Sequence, residues 1–300
     1  MVTVHVPATS ANVGAGFDTL GLALGFGNTV VMEEADGCDI AALDDVAVPT
    51  GPDNLVYWAA QQLYQRCGRP FTGLSLRQMS PIPVARGLGS SSACIVAGRV
   101  GANALMKNAC TRDELLAVAA EMEGHPDNVA PALLGGLVAS CIEGGRVYSV
   151  KKELSPTLQY AVFVPDYELH TDKARAMLPK TVAFADAAYN LSRAVLCQAA
   201  LCEGRLDLLP VALEDRLHQA CRMAHMPGGD GVFRLAKAAG ASAVYVSGAG
   251  PAIVAVVEPS MAGFWDAART ALAEAKAAGD EAGRFELLQM APDNQGARLI

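Results

Sequence analysis

The sequence predicts an α+β fold divided into two lobes, and three observations indicate it. The first third alternates short strand-like segments, starting at Val2 to Val6, with glycines. Around Lys151 to Pro156, charged residues and a proline interrupt this pattern. The second half then mixes several helices with a few strands, without regular alternation of the two. We therefore expect two domains, spanning residues 1–153 and 154–300.

Hydrophobic spacing and end signals predict the individual elements. Thr111 followed by Glu114 forms a capping box that opens an amphipathic helix, and Gly124 ends it. The other expected helices cover residues 54–67, 91–106, 128–134, 172–178, 186–203, 206–217, 231–239 and 261–278. The other expected strands cover residues 20–24, 29–33, 137–142, 160–165, 243–246, 253–257 and 285–290.

Composition and charge argue against several classes of function. The chain has 23 basic and 31 acidic side chains, a net charge of −8 and no cluster of lysine and arginine, so we expect no nucleic-acid partner. No apolar run approaches the roughly 18 residues of a membrane span, and the amino terminus lacks the pattern of a signal peptide. We therefore expect no membrane partner and a cytoplasmic location. Eight cysteines without a C-x-x-C pair are typical of reduced core thiols in such a protein.

One segment rich in glycine and serine, Pro81 to Ala93 (PIPVARGLGSSSA), has the composition of a phosphate-binding loop. Gly87 and Gly89 lack Cβ atoms, so the backbone can turn sharply and bring successive N–H groups to one anion. The serines that follow open a helix, whose first N–H groups have no partner within the helix. For this segment alone, an ordinary glycine loop capped by serine is the alternative. The chain contains neither a Gly-Lys pair nor G-x-G-x-x-G, which excludes the P-loop and the usual dinucleotide fingerprint.

Three separated stretches match, in order and spacing, the three motifs of the GHMP kinases, the galacto-, homoserine, mevalonate and phosphomevalonate kinases. They are Pro7 to Asp18 (PATSANVGAGFD), Pro83 to Ala93, and Ser247 to Ala252 (SGAGPA). This resemblance implies a two-lobed GHMP kinase fold, with a ribosomal-protein-S5-domain-2-like N-terminal lobe and a ferredoxin-like α+β C-terminal lobe. It also implies an ATP-dependent kinase whose second motif binds ATP through Pro83, Val84, Ala85, Arg86, Gly87, Leu88, Gly89, Ser90, Ser91, Ser92 and Ala93.

Within that family the chain most resembles the homoserine kinases, through GAGFDTLGLAL at 14–24, EGHPDNVAP at 123–131 and HTDKARAMLP at 170–179. The resemblance covers nearly the whole chain. It implies that ATP and L-homoserine are the substrates and that O-phospho-L-homoserine is formed in the penultimate step toward threonine. A kinase of another small alcohol, and a non-catalytic binding or regulatory module of the same fold, are the alternatives. A homodimer is compatible with the sequence.

Phosphoryl transfer needs Mg²⁺ held by a few oxygens near the phosphates. The resemblance assigns the protein ligands of the metal to Ser91 in the loop and Glu123 at the end of the capped helix. A solvated carboxylate at a helix end is the alternative for Glu123. A carboxylate in that position opposes the helix dipole, which favours a functional role.

Homoserine presents a carboxylate, an ammonium group and a hydroxyl, so its pocket needs arginine forks, an acid and neutral hydrogen-bonding groups. The resemblance implies that Arg175 and Arg222 clamp the carboxylate, and that Asp18 holds the ammonium or orients the hydroxyl. Taken singly, these residues also have structural explanations, as surface arginines and as an Asx turn. The further substrate contacts that the resemblance implies are Asn12, His125, Asn128, Thr171 and Gly248. The alternatives are a structural histidine for His125 and a helix N-cap for Thr171.

The chain contains no lysine before Lys107, so it cannot supply the first-motif lysine that mevalonate-type members pair with an aspartate base. The position of that aspartate corresponds to Asn128, whose amide cannot accept a proton at neutral pH. We therefore expect catalysis without a dedicated base. In a loose, metaphosphate-like transition state the nucleophile needs little early deprotonation, and a phosphate oxygen can take the proton. The expected catalytic residues are Asp18, Ser91, Glu123 and Asn128.

Two assignments rest on weaker local patterns. Family members commonly carry a proline and a tyrosine before the second clamp arginine, whereas His218 to Arg222 reads HQACR here. Arg216 is therefore the alternative to Arg222 as the second clamp residue. Adenine recognition has no strong local code, and the resemblance places Asn54, which follows Asp53, in the base-binding region.

Overall fold

The computed structural model describes residues 1–300 and contains two sheets with helices packed against them. The strands of the first sheet are β1 (Val2–Ala11), β2 (Leu20–Glu34), β3 (Gly37–Ala42), β4 (Gly73–Met79), β5 (Leu137–Glu143), β6 (Arg146–Lys152) and β11 (Arg298–Leu299). They lie in the order β11-β1-β2-β4-β3, and β5 joins β6 to β2. The helices of this half are α1 (Leu55–Arg66), α2 (Ser90–Leu105), α3 (Arg112–Glu123) and α4 (Pro126–Leu134).

The second sheet consists of β7 (Gln159–Pro165), β8 (Ala243–Val246), β9 (Ile253–Val257) and β10 (Phe285–Met290). It is antiparallel, with the order β10-β7-β9-β8. Its helices are α5 (Thr171–Ala176), α6 (Phe184–Glu203), α7 (Leu209–Ala212), α8 (Gln219–Met223), α9 (Gly229–Ala238) and α10 (Phe264–Ala277). The chain thus follows a β-α-β-β-α-β path, which confirms the predicted ferredoxin-like second lobe and the α+β class. None of the helices is long and apolar enough to cross a lipid bilayer.

Side chains of β7 in the second sheet point alternately into two cores, one of which is shared by both lobes. Tyr160 and Val162 of β7 face the large core that also contains the apolar residues of the first sheet. Ala161 and Phe163 face the opposite way, into a smaller core closed by α9 and α10. Successive side chains of a strand point to opposite faces, so one strand contributes to both cores. The two lobes therefore share one continuous apolar core.

Local side-chain caps position two helices of the first half, and one of these caps was predicted. The Asn54 side chain accepts from the N–H groups of Val56 and Tyr57 and begins α1. Thr111 and Glu114 form the predicted capping box of α3, and Gly124 ends that helix in the left-handed conformation. These caps set where α3 stops, and therefore where the Glu123 carboxylate lies.

The predicted helix over residues 206–217 is wrong. The segment forms a 3-10 turn (Leu206–Leu208) and the short helix α7, and then the chain turns. The Asp215 carboxylate accepts from the N–H groups of Leu217, His218 and Gln219 at 3.1, 2.9 and 2.7 Å. A continuing helix would direct those N–H groups to backbone carbonyls, so the carboxylate instead stabilises a turn between α7 and α8.

The strands differ from the prediction in number and in extent, and β3 and β6 were not predicted. The segments predicted at residues 20–24 and 29–33 form one strand, β2, whose pairing with β1 shifts register between Pro7 and Ala8. The last residues return to the first sheet, where β11 pairs with β1 and Pro292 bridges Leu24. The division after residue 153 stays a prediction.

Candidate active site

The three glycine-containing motifs meet at the junction of the two lobes. The Thr9 N–H in β1 donates to the Leu88 carbonyl in the second motif at 3.1 Å. The Ser247 hydroxyl donates to the Gly87 carbonyl at 2.6 Å. The Gly248 N–H donates to the Ala11 carbonyl at 3.0 Å. Motifs far apart in sequence therefore form one hydrogen-bonded unit around the loop before α2.

Two glycines of that loop are required by its conformation. Gly87 and Gly89 have φ values of 75° and 69°, in the left-handed region. A Cβ atom on Gly87 would lie 2.3 Å from the Ser247 carbonyl oxygen, and one on Gly89 would lie 1.9 Å from the Thr9 hydroxyl oxygen. Any side chain would push the loop away from the other two motifs.

The loop leads directly into the N-terminus of α2. Gly89 is the N-cap residue and has no side chain to satisfy the first N–H groups of this 16-residue helix. Ser90 and Ser91 at the helix start line the cleft described below. The first turn of α2 therefore presents N–H groups, hydroxyls and the positive end of the helix dipole to the cleft, which suits a phosphate group.

A carboxylate lies beside these serines. Glu123, the last residue of α3, accepts hydrogen bonds from the Ser91 hydroxyl at 3.0 Å and the Ser92 hydroxyl at 2.9 Å. Hydroxyl and carboxylate oxygens are ligands that Mg²⁺ takes in proteins, so Ser91 and Glu123 fit the predicted metal site. No group of three or more His, Cys, Asp or Glu side chains could hold a metal. A metal at this position would therefore draw further ligands from phosphates and water.

A cleft of about 420 Å³ lies between the lobes and connects these groups. All the predicted site residues line it except Ser92 and Ala93, which are buried. Ser92 instead holds Glu123, and Ala93 packs in the core. The Arg86 guanidinium is bound to the Pro165, Val84 and Asp166 carbonyls, so it ties the loop to the second lobe.

Arg175 and Asp18, which also line the cleft, form a two-pronged ion pair. Nη1 and Nη2 of Arg175 donate to the two carboxylate oxygens of Asp18 at 3.0 and 2.8 Å. The side chains are 44% and 34% exposed, so water has access to the pair. Arg175 thus presents the fork that a carboxylate ligand needs, with Asp18 as its partner here.

The second predicted clamp residue, Arg222, lines the cleft and is only 2% exposed. Its guanidinium and that of Arg175 lie 5.4 and 5.6 Å from the centroid of the Phe17 ring. The alternative, Arg216, is half-exposed, pairs with Asp186 at 3.1 Å and is not among the cleft residues. The geometry therefore favours Arg222 over Arg216.

Residues of the segment EGHPDNVAP line the cleft. Nδ1 of His125 lies 2.6 Å from a carboxylate oxygen of buried Asp127. Burial alone would lower the pKa of His125, but the hydrogen bond and charge of Asp127, with the charges of Glu123 and Asp18, outweigh it and raise that pKa. Asn128 accepts from the Thr9 hydroxyl at 2.8 Å.

Asn12 and Thr171 lie at the same side of the cleft as the arginines. The Asn12 side chain donates to the Gly248 carbonyl at 2.8 Å and accepts from the Asp18 N–H at 2.9 Å. It therefore links the first motif to the third. Thr171 is the first residue of α5 and is exposed, while His170 is the N-cap residue. The Thr171 hydroxyl has no capping function to perform.

The Asn54 side chain is committed to the fold. It caps α1 and also donates to the Pro49 carbonyl at 2.8 Å and to Gln78 at 3.0 Å. It lines the cleft, but its polar atoms already have partners. Beside it the cleft has an apolar wall that the sequence did not predict, formed by Val46, Ala47, Val48, Pro49, Leu55 and Cys94. Burial raises the pKa of the Cys94 thiol to about 11, so it lies there as a neutral, weakly polar group.

Sequence reasoning also missed Asp127, which lines the cleft and holds His125, although the quoted HPDN segment contains it. Phe17 and His218, which contact the clamp arginines, were likewise not predicted as site residues. Phe17 lies in the first motif, whereas His218 has no local signal that would mark it.

Known proteins resemble this chain over its whole length. Residues 54–136 match the family model described as GHMP kinases N terminal domain, and residues 197–279 match GHMP kinases C terminal. The homoserine kinase of Caldicellulosiruptor bescii is 40% identical over all of this chain and 97% of its own length. The homoserine kinase of Moorella thermoacetica is also 40% identical, over all of both chains.

Solved structures give the same result. The homoserine kinase of Cytophaga hutchinsonii superimposes with a TM-score of 0.86 at 28% identity, covering 100% of this chain and 97% of the other. The mevalonate kinase of L. major, solved with R-mevalonate, gives a TM-score of 0.71 at 16% identity over 96% and 95% of the two chains. The second similarity shows a shared fold alone.

Proposed function

Because the chain belongs to the GHMP kinase family and, within it, to the homoserine kinases, we propose that it transfers the γ-phosphoryl group of ATP to the hydroxyl of L-homoserine, with Mg²⁺, giving O-phospho-L-homoserine. One observation carries this proposal. The N-terminus of α2 with the Ser91 and Glu123 pair, and the Arg175, Asp18 and Arg222 cluster, line a single cleft. One set of groups suits a triphosphate, and the other suits an amino acid. A cytoplasmic setting belongs to the proposal and is supported by eight cysteines with free thiols.

In this proposal the loop and α2 hold the phosphates. The N–H groups at the start of α2 and the hydroxyls of Ser90 and Ser91 bind the phosphate oxygens, which lowers the cost of bringing negative charge into the cleft. Ser91 and Glu123 would hold Mg²⁺, which would neutralise charge on the phosphates. The apolar wall beside Asn54 accepts the adenine ring through its faces.

The amino acid binds through the arginine and aspartate cluster. Arg175 exchanges the Asp18 carboxylate for the carboxylate of L-homoserine, an exchange that costs little because the existing pair is partly exposed. Arg222, which is buried and lines the cleft, provides the second cation of the clamp. Asp18, once released, is free to hold the ammonium group or to orient the hydroxyl toward the γ-phosphate.

No residue has to act as a strong base. Asn128 is an amide that already accepts from Thr9, and it serves to align the hydroxyl. With a loose transition state, the proton leaves late and a phosphate oxygen takes it. Catalysis then depends on alignment and on charge stabilisation in the cleft.

Two alternatives remain within the same fold: a kinase of another small alcohol and a non-catalytic binding module. The Ser91 and Glu123 pair supports a kinase, since a protein that only binds its ligand does not need two side chains to hold Mg²⁺. The identity of 40% over the full length of homoserine kinases supports homoserine over another alcohol.

The product identifies the reaction. We expect that incubation of the purified protein with ATP, Mg²⁺ and L-homoserine gives ADP and a new phosphomonoester, whose ³¹P resonance couples to the protons of the terminal CH₂ group. O-methyl-L-homoserine has the same amino-acid head but no free hydroxyl, so it should give no phosphoester. A phosphoramidate, or ADP without a phosphoester, would contradict the proposed reaction.

A further inference from the structure

Buried Arg222 is held by two acceptors on one side of its guanidinium. Nη1 donates to the Gly248 carbonyl at 2.6 Å and lies 3.1 Å from Nδ1 of His218. The Nε atom of Arg222 is buried and has no hydrogen-bond partner, so the contacts of Nη1 are the ones that fix the guanidinium. His218 is 1% exposed, and its ring lies 5.2 Å from the ring of Phe17, which faces both clamp arginines.

These contacts define the state of the imidazole. A guanidinium can only donate, so Nδ1 of His218 must be the acceptor beside Arg222. The proton is then on Nε2, which donates to the Gly14 carbonyl at 2.8 Å. His218 is therefore a neutral Nε2–H tautomer that connects the first motif to Arg222.

The local turn holds the imidazole in that place. The Asp215 carboxylate accepts from the His218 N–H at 2.9 Å and from the Asn190 side chain at 2.7 Å, which anchors the start of α8 on α6. The segment HQACR thus places a histidine one helical turn before the arginine. The ring and the guanidinium meet because residues four apart lie on the same face of a helix.

We propose that His218 is a positioning residue for substrate recognition: its neutral imidazole fixes the Arg222 guanidinium for the carboxylate of the amino-acid substrate. This inference rests on the proposed function and adds a determinant of substrate affinity to it. A protonated imidazole has no acceptor at Nδ1 and places a second positive charge 3.1 Å from Arg222. Protonation of His218 therefore weakens binding of L-homoserine and leaves ATP binding unchanged.

The ionisable groups that face His218 are Asp215 before α8, Arg222 within α8 and Asp18 in the first motif. Burial lowers the pKa of His218, and the charge of Arg222 acts in the same direction, against the opposing carboxylates of Asp215 and Asp18. The imidazole is therefore neutral at pH 7. Because the unfolded chain takes up this proton more readily, the stability of the fold decreases as pH falls below the ordinary histidine value of 6.5.

Two substitutions separate positioning from simple packing. His218→Gln keeps a donor and an acceptor but cannot be protonated, whereas His218→Leu keeps the volume and removes both hydrogen bonds. Wild-type protein should show a KM for L-homoserine that rises as pH falls from 8 to 5. The KM for ATP should be the same in wild type and in both variants at each pH. His218→Gln should lose that rise. His218→Leu should raise the KM for L-homoserine by about 10- to 100-fold at pH 8, the range of a lost hydrogen bond to a charged group.

The exposed His225, two residues after α8, provides the matched control, because its Nδ1 contacts only the Cys221 carbonyl at 3.1 Å. His225→Gln should behave as wild type. Thermal unfolding measured at each pH should show a loss of stability below pH 6.5 that His218→Gln reduces. An identical acid rise in His218→Gln, a flat wild-type profile, or equal effects of His218→Leu on both substrates would overturn the inference. Absence of any wild-type turnover of L-homoserine would instead overturn the proposed function.

Discussion

Glu123→Gln lowers kcat by about 10²- to 10³-fold, the usual cost of removing one group that stabilises transition-state charge. The amide keeps the shape of the side chain. In wild type the Ser91 and Ser92 hydroxyls donate to different carboxylate oxygens at 3.0 and 2.9 Å. The amide can accept from one serine hydroxyl through its oxygen and donate to the other through its NH₂ group. It removes the negative charge that would hold Mg²⁺. The variant should therefore also need a higher Mg²⁺ concentration for half-maximal rate, with the KM for L-homoserine little changed. Steady-state rates over a Mg²⁺ titration measure both effects.

Glu121 on the same helix is the matched control for this prediction. Its side chain is 70% exposed and pairs with Arg66 at 2.9 Å on the surface. Glu121→Gln removes the same charge two residues away and should keep wild-type kinetics. Near-normal kcat and an unchanged Mg²⁺ requirement in Glu123→Gln would show that another carboxylate has this role.

Arg175→Ala should lower kcat/KM for L-homoserine by roughly 30- to 1,000-fold, which corresponds to a loss of about 2–4 kcal/mol for a removed charge partner. The physical reason is the two-pronged geometry seen with Asp18 at 3.0 and 2.8 Å, which the substrate carboxylate would adopt. The KM for ATP should stay within about twofold of wild type, because the phosphate loop is untouched. Arg175→Lys should recover part of the loss, since lysine keeps the charge but not the fork.

Arg205 offers a matched control, since its guanidinium makes the same kind of two-pronged pair with Asp207, at 2.8 and 2.8 Å, outside the cleft. Arg205→Ala should leave both KM values unchanged. Separate KM measurements for the two substrates decide the question. Equal increases in both values for Arg175→Ala would remove this residue from the clamp.

Elements with a local end signal were predictable from the sequence, and elements held by distant partners were not. Thr111, Glu114 and Gly124 mark the ends of α3 through contacts within a few residues. By contrast, β11 has only two residues and exists because β1 offers it a free edge from the other end of the chain. The helix predicted over residues 206–217 was wrong although the apolar residues there have helical spacing. The Asp215 carboxylate accepts from three backbone N–H groups, and hydrophobic spacing carries no information about such side-chain contacts.

The candidate site shows the same division. The glycine and serine loop could be predicted from the sequence because its conformation requires glycine. A Cβ atom on Gly87 would lie only 2.3 Å from the Ser247 carbonyl oxygen. The apolar wall around Val48 comes from a segment without any motif, since its role depends only on where the chain passes. His218 was not predicted as a site residue, because the segment HQACR was considered only for the identity of the second clamp arginine, and the contact of His218 with Arg222 shows its place in the site.

The central claim is tested most directly by ADP release from the purified protein with ATP, Mg²⁺ and each of L-homoserine, L-serine, L-threonine, mevalonate and galactose. The clamp formed by Arg175, Arg222 and Asp18 requires a substrate with a carboxylate and an ammonium group. The hydroxyl of that substrate must lie as far from these two groups as it does in L-homoserine. We expect kcat/KM for L-homoserine to exceed that for every other alcohol by at least about 100-fold. Turnover of mevalonate alone, or of none of the five, would contradict the account.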